Sequence, residues 1–314
     1  MVNESQINGF LALTLLMVLF LSGPASSQTK DQDTVSREPR GFSQRESSTG
    51  YTDSLPVFGG PTSSEGQLEE ADRVLDPAFR FPAIDEFYQP WTDWKTTTNK
   101  QQGVQISTHY STMAQYLSDP IPDGEDKASA GVFRGTLVWS PFQNKTDEKN
   151  SVNIMIDHRH GFRDTVPANL AAEAGYIGVT SLFYGDFGWA IINLNWQQSF
   201  NNQDTGLIVG RYDPNDYMNV LGHVNPWSLF SNLDSNLDTS VALPDSSWGI
   251  GVGHWLNDQW YAFAGANDAN GFGNDDLEFF DGGSEFFKYG NIGWSPGKAD
   301  RYFKKYTHAG VACG

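Results

Sequence analysis

The sequence predicts an all-β chain, and three observations predict it. Short segments alternate strictly between two kinds of side chain, clusters of Asp, Asn, Gly and Pro separate them, and helical periodicity is scarce. In order along the chain, the predicted strands are Gln105 to Tyr110, Gly131 to Trp139, Val152 to Arg159, Gly178 to Phe183, Ala190 to Trp196 and Gly206 to Tyr212. Trp248 to Trp255, Trp260 to Asn267, Phe286 to Trp294 and Tyr302 to Ala309 complete a set of about ten. Val152, Ile154 and Ile156 alternate with Asn153, Met155 and Asp157, so a strand places an apolar set and a mostly polar set on opposite faces. Ala190, Ile192, Leu194 and Trp196 alternate with Asn193, Asn195 and Gln197 in the same manner. Trp248, Ile250 and Val252 alternate with Gly249, Gly251 and Gly253, and Leu256, Asn257 and Asp258 turn that segment back as a hairpin. Helix is expected only at Pro167 to Ala174, Asn225 to Asn232 and, as two isolated turns, Leu68 to Leu75.

Composition narrows the functional classes. The 314 residues carry 20 Lys and Arg against 38 Asp and Glu, a formal charge of −18. Nucleic acid and anionic bilayer surfaces would be repelled, so neither is expected as a partner. The single cysteine, Cys313, excludes an intrachain disulfide and a thiolate metal cluster. Phe10 to Leu21 is an apolar run broken only by Thr14 and followed by Ser22, Gly23, Pro24, Ala25, Ser26 and Ser27. Residues 1–27 therefore read as a secretory signal. Residues 28–86 are rich in Ser, Thr, Gln, Asp, Glu, Pro and Gly, and read as a polar, disordered extension. Phe87, Tyr88, Trp91 and Trp94 mark the start of the β-domain, residues 87–314. No later run is long enough for a membrane helix.

An all-β chain of this pattern has two solutions. A soluble sandwich buries its apolar face, whereas a transmembrane barrel turns that face to lipid and lines a lumen with the polar one. Trp139, Trp189, Trp227, Trp248, Trp255, Trp260 and Trp294 stand at strand ends, where interface girdles place aromatic side chains. Catalytic and metal motifs are weak. Arg159, His160, Gly161 and Arg163 resemble the RHGxR motif of histidine phosphatases, but no alternation of strands and helices surrounds them, and no enzyme activity is expected. Asn267 to Glu278 is rich in oxygen donors, yet Phe272 and Phe279 occupy calcium-ligand positions, so neither a metal nor a cofactor is expected.

A longer resemblance lies in the order of several segments. These are Trp94 and Lys95 with Gly103 and Val104, then Asp157 to His160, and the block Val209 to Tyr217. Asn225 and Pro226 with Phe230 to Asn232 follow, then Leu243 and Pro244, Trp260 and Tyr261, Asp268 to Gly271, Gly283 with Glu285 to Phe287, and Ile292 to Pro296. In this order, from about Trp91 to His308, the chain resembles the carbohydrate-selective porins of the OprB type. The resemblance implies an antiparallel transmembrane β-barrel in a bacterial outer membrane, expected to have sixteen strands, through which mono- or oligosaccharides diffuse without catalysis. It implies carbohydrate solutes, outer-membrane lipid and the barrel assembly machinery as partners, and raises a homo-oligomer, since general porins commonly trimerise. A polar sugar path needs arginines with carboxylates beside aromatic faces. The residues expected to line it are Arg134, Asp157, Arg159, Arg211, Asp213 and Asp216, with the aromatics Trp196 and Trp255. Gln105 to Gly314 has room for about ten membrane strands rather than sixteen, and its end lacks a terminal aromatic, so an incomplete barrel is expected. A secreted soluble β-domain that binds carbohydrate is the competing expectation.

Overall fold

The computed structural model describes residues 59–60, 62–72, 82–142, 148–218, 232, 244–274, 285–294 and 309–313. Its strands are β1 (Val104–Tyr116), β2 (Lys127–Trp139), β3 (Asn150–Gly161), β4 (Gly188–Phe200), β5 (Thr205–Tyr212), β6 (Ser247–Trp255), β7 (Trp260–Asp268), β8 (Phe286–Trp294) and β9 (Ala309–Cys313). They form one sheet in chain order, each strand antiparallel to the next. Among the described residues β1 and β9 each have one neighbour, so the sheet is an open meander with the strand arrangement of an incomplete barrel. The connections differ at the two ends. The connections 140–149, 201–204 and 256–259 lie at one end, and the 26 residues 162–187 join β3 to β4 at the other. Short turns at one rim and long loops at the other are usual in outer-membrane barrels.

The two faces of the sheet are chemically opposite. One is covered by loops and a helix, and there the polar side chains of Gln105, Thr136, Ser151, Asn153, Asn193 and Gln197 are buried. The other is bare, and Tyr110, Trp139, Trp189, Val209, Ile250, Val252, Trp260 and Ile292 stand exposed on it. The alternation seen in the sequence thus places most of the polar set inside and most of the apolar set outside, except that a register shift between Met155 and Ile156 turns Ala190 and Ile192 to the covered face, where they pack with Met155. A water-soluble sandwich does the reverse, because exposing apolar surface costs about 25 cal/mol per Å² in water. Trp139, Trp189 and Trp260 stand at strand ends on the bare face as expected, whereas Trp255 is buried on the covered face and Trp227 lies outside the described residues.

Aromatic side chains fill the covered face where β6 offers only glycine. Tyr212, Tyr217, Phe263 and Tyr289 form a buried cluster with Ile208 and Met218. A Cβ at Gly251 would lie 2.7 Å from Phe263 Cζ, so this glycine leaves the room that the rings occupy, as Gly249 does for the Asn267 side chain. The phenols satisfy one another: the Tyr212 and Tyr289 hydroxyls are 2.9 Å apart, and Tyr289 Oη donates to Asn267 Oδ1 at 2.7 Å.

Among the described residues three α-helices accompany the sheet: α1 (Ser64–Asp72), α2 (Pro82–Gln102) and α3 (Leu170–Glu173). α1 corrects the expectation of a disordered extension. Ser63 Oγ accepts the Gly66 N–H and donates to the Gly60 carbonyl, capping the helix, and Ser63 to Leu68 are buried against the sheet. The packing stabilises a helix that alone would be too short to persist. The domain start expected at Phe87 falls inside α2, where Trp91 and Trp94 stack at 4.9 Å and Phe87 and Tyr88 are exposed.

Gly178 to Phe183 is not a strand, because two neighbouring side chains fasten it as a loop instead. Thr180 Oγ1 donates to Gln115 Oε1 and Gln115 Nε2 donates to Ser181 Oγ, both at 3.1 Å. The helix expected at Pro167 to Ala174 is reduced to α3. Asn225 to Asn232, apart from Asn232, lies outside the described residues, as does Tyr302 to His308; Ala309 begins β9.

Candidate functional site

The covered face carries its charges on β2 and β3. Antiparallel register sets Arg134 opposite Asp157, and Arg159, two residues further along β3, emerges on the same face. Arg134 Nε and Nη2 donate to Asp157 Oδ1 and Oδ2 at 2.6 and 2.7 Å. Arg159 Nη2 and Nε donate to Asp157 Oδ2 at 2.8 and 3.1 Å. One carboxylate therefore serves two guanidinium groups, leaving one formal positive charge. All three side chains are buried, where the fork geometry of arginine fixes the carboxylate in two dimensions.

Two phenylalanines of loop 162–187 cover this ladder. The Phe183 ring lies 5.7 Å from Arg134 Cζ and 5.3 Å from Arg159 Cζ, and the Phe187 ring lies 4.7 Å from Arg159 Cζ. Each distance suits attraction between a cation and a ring. Loop 162–187 is held by the Gln115 contacts and by Tyr184 and Val166, which pack on Ala130 and Val132. Removing the Gln115 side chain by Gln115→Ala is expected to free that loop. The measurement is hydrogen exchange at Thr180 and Ser181, which should accelerate by about tenfold for the roughly 1–2 kcal/mol of two lost contacts.

The remaining expected residues are distributed differently. Arg211 is buried and donates from Nε to the Ile191 carbonyl at 2.9 Å and from Nη2 to the Phe272 carbonyl. Phe272 meets Phe187 at 6.4 Å, which links Arg211 to the aromatic cover. Gly210, at φ +129°, adopts a backbone that a side chain would strain, just before Arg211. Asp213 accepts the backbone and side-chain N–H groups of Asn215 at 2.8 Å, capping the 3-10 turn Pro214–Asp216. Trp255 lies on the covered face against Tyr261 at 5.2 Å, at the opposite end of the sheet from Arg211. Trp196 does not belong to this group. Alternation puts it on the bare face, in an apolar groove with Val152, Leu194, Val209, Trp248 and Ile250.

A second cluster, not expected from the sequence, joins α1 to the sheet. Asn193 Nδ2 donates to Ser64 Oγ at 2.9 Å, and Asn153 Nδ2 donates to Glu65 Oε1 at 2.7 Å. Asn153 Nδ2 also reaches Asn195 Oδ1 at 3.1 Å, and Gln197 Nε2 donates to Tyr217 Oη at 2.7 Å. Burial pushes the Glu65 carboxyl up to about 7, with nearby Asp216 adding to the shift against the Ser63 and Asn153 contacts that oppose it. Burial likewise raises Asp216 to about 6, and raises Asp213 well above the carboxylate range with help from Asp216 and Asp245.

The direction of the Glu65 shift sets a pH dependence. An acid whose docked form titrates higher than its free form docks best when protonated. Packing of α1 is expected to be strongest below the ordinary glutamate value of 4.5, and to weaken as pH rises through about 7. Hydrogen exchange of the α1 amides, corrected for intrinsic base catalysis, should show protection falling between pH 5 and 8. Constant protection across that range contradicts the assignment.

Similarity is found at the level of fold. The chain is similar to the structure of Pseudomonas putida OprB at high pH, with a TM-score of 0.53 and 15% identity over 65% of this chain. The match spans 51% of that structure, about half its length. No protein-family model matches the chain, and no curated protein matches it in sequence. The fold is therefore that of an OprB-like porin barrel.

Proposed function

We propose that the chain forms a passive pore for small carbohydrates in a bacterial outer membrane. The observation that carries this reading is the inversion of the sheet: polar and charged side chains are buried on one face, and large apolar ones are exposed on the other. Lipid against the bare face removes the cost of exposing those side chains, and the covered face becomes the aqueous path. A secreted soluble β-domain would bury the apolar set instead. The OprB-like fold supports the same reading.

The ladder has the chemistry that a sugar path needs. Arg134, Asp157 and Arg159 present donors and acceptors in fixed directions, and Phe183 and Phe187 offer ring faces to sugar C–H groups. Arg211, Asp213 and Asp216 extend the polar lining towards the long loops, and Trp255 supplies a ring near the short turns. Trp196 is assigned to lipid. Residues 1–27 direct export, lipid and the barrel assembly machinery are the partners of insertion, and copies of the chain are candidates for an oligomer.

The experiment is swelling of liposomes that hold the purified full chain. Glucose is expected to enter and to saturate. Arg159→Ala is expected to raise the half-saturating glucose concentration by about tenfold, the effect of losing roughly 1.5 kcal/mol of charged hydrogen bonding. Liposomes that exclude glucose with a folded wild-type chain contradict the proposal.

A further inference from the structure

The site on β3 and β4 is already occupied, and its occupant is the chain itself. Ser64 Oγ and Glu65 Oε1 accept from Asn193 and Asn153, in the manner in which two neighbouring hydroxyl oxygens of a sugar would. The Gly60 N–H donates to the Asp216 carbonyl. The Thr62 side chain bonds the Asp216 carboxylate. Leu68 packs on Val138.

The fit is incomplete in one respect. Glu65 Oε2, Asn153 Oδ1 and Asn193 Oδ1 are buried acceptors with no hydrogen-bond donor. A sugar hydroxyl brings both a donor and an acceptor, and so can serve an amide oxygen that the docked segment leaves without a donor. The docked helix thus uses the donor side of each asparagine and leaves the acceptor side unused. A nine-residue helix held by so few contacts depends wholly on this docking.

We propose that Asn153 and Asn193 form a sugar-hydroxyl subsite, and that the segment from Thr62 to Leu68 is an internal competitor that fills it and is displaced by carbohydrate. The proposal rests on the pore reading. It makes α1 a self-inhibiting plug, whose departure exposes two amide side chains able to bind hydroxyl groups as both donors and acceptors. A pore whose subsite is free only one tenth of the time shows an apparent sugar affinity lowered about tenfold, and removing the plug restores it.

The test replaces residues 62–68 by a glycine-serine linker of equal length in the full chain. Folding is verified by the heat-dependent gel mobility of the intact barrel. Two readouts are taken: the half-saturating glucose concentration for liposome swelling, and the rate at which Asn193→Cys, in a Cys313→Ser background, reacts with a membrane-impermeant maleimide. The expected result is a half-saturating concentration lowered by about tenfold and a maleimide rate raised by a similar factor. Glucose saturation unchanged by the linker overturns the competition, even where labelling accelerates. Unchanged labelling as well shows that the plug does not cover Asn193 at all. If labelling accelerates but neither chain passes glucose, the pore reading fails and the competition falls with it. Should the linker chain not fold, Ser64→Ala with Glu65→Ala, which removes only the two anchoring acceptors, is put to the same readouts with the same expected directions.

Discussion

Asp157→Ala is expected to destabilise the folded protein by about 3–5 kcal/mol, the cost of leaving buried arginine charge without its partner. Asp157 forms ion pairs with both Arg134 and Arg159, all three side chains are buried, and the Phe183 and Phe187 rings lie over the guanidinium groups. The measurement is a urea titration of the chain folded into detergent micelles or liposomes, followed by heat-dependent gel mobility. The midpoint should fall markedly for Asp157→Ala. Removing the charges together, by Arg134→Met, Asp157→Leu and Arg159→Met, should recover most of the loss, because no unpaired charge then remains. A single substitution that leaves the midpoint unchanged would contradict the ladder's part in stabilising the fold.

Ile250→Arg carries the second large effect. Ile250 is half exposed on the bare face of β6, in register with Val209 and Ala266. In water an exposed isoleucine is replaced at a cost within about 0.5 kcal/mol. In lipid an arginine near the bilayer midplane costs about 2–4 kcal/mol, falling to about 0–1 near the interface. His254→Arg, on the same face near the end of the same strand, should therefore be tolerated where Ile250→Arg is not. The comparison of their folding midpoints in liposomes measures depth rather than mere exposure. Equal and negligible effects would place the bare face in water.

The strands were legible because a two-residue period survives inversion of the faces. Phe286 to Trp294 was read from sequence with the boundaries of β8, and Trp248 to Trp255 and Trp260 to Asn267 with those of β6 and β7 to within one residue. Which face is buried was not legible, since alternation marks two faces and does not say which of them meets water. Gly178 to Phe183 misled because the neighbouring Thr180 and Ser181 bond Gln115 from a loop, a long-range contact that a local period does not reveal. In the candidate site, Arg134, Asp157 and Arg159 were legible as charges on neighbouring strands, and the register brought them together. For Trp196 alternation alone leaves the face open, and its apolar neighbours, which already point to lipid in the sequence, stand with it in the groove of the bare face. Phe183 and Phe187 were missed because their role depends on how a loop folds back. Ser64 and Glu65 were missed because they sit in a polar segment that gains its structure only by docking. Asn193, Asn195 and Gln197 could have been found, since their alternation with Leu194 and Trp196 places all three on the polar face.

The account rests on the bare face meeting lipid, and tryptophan quenching by brominated phospholipids tests that most directly. Trp139, Trp189 and Trp260 stand exposed on that face, and Trp196 and Trp248 line its apolar groove. With the full chain in liposomes, lipids brominated along the acyl chain are expected to quench most of the tryptophan emission, and an aqueous quencher such as iodide to quench little. Emission untouched by brominated lipid and strongly quenched by iodide would contradict the membrane assignment and the pore that depends on it.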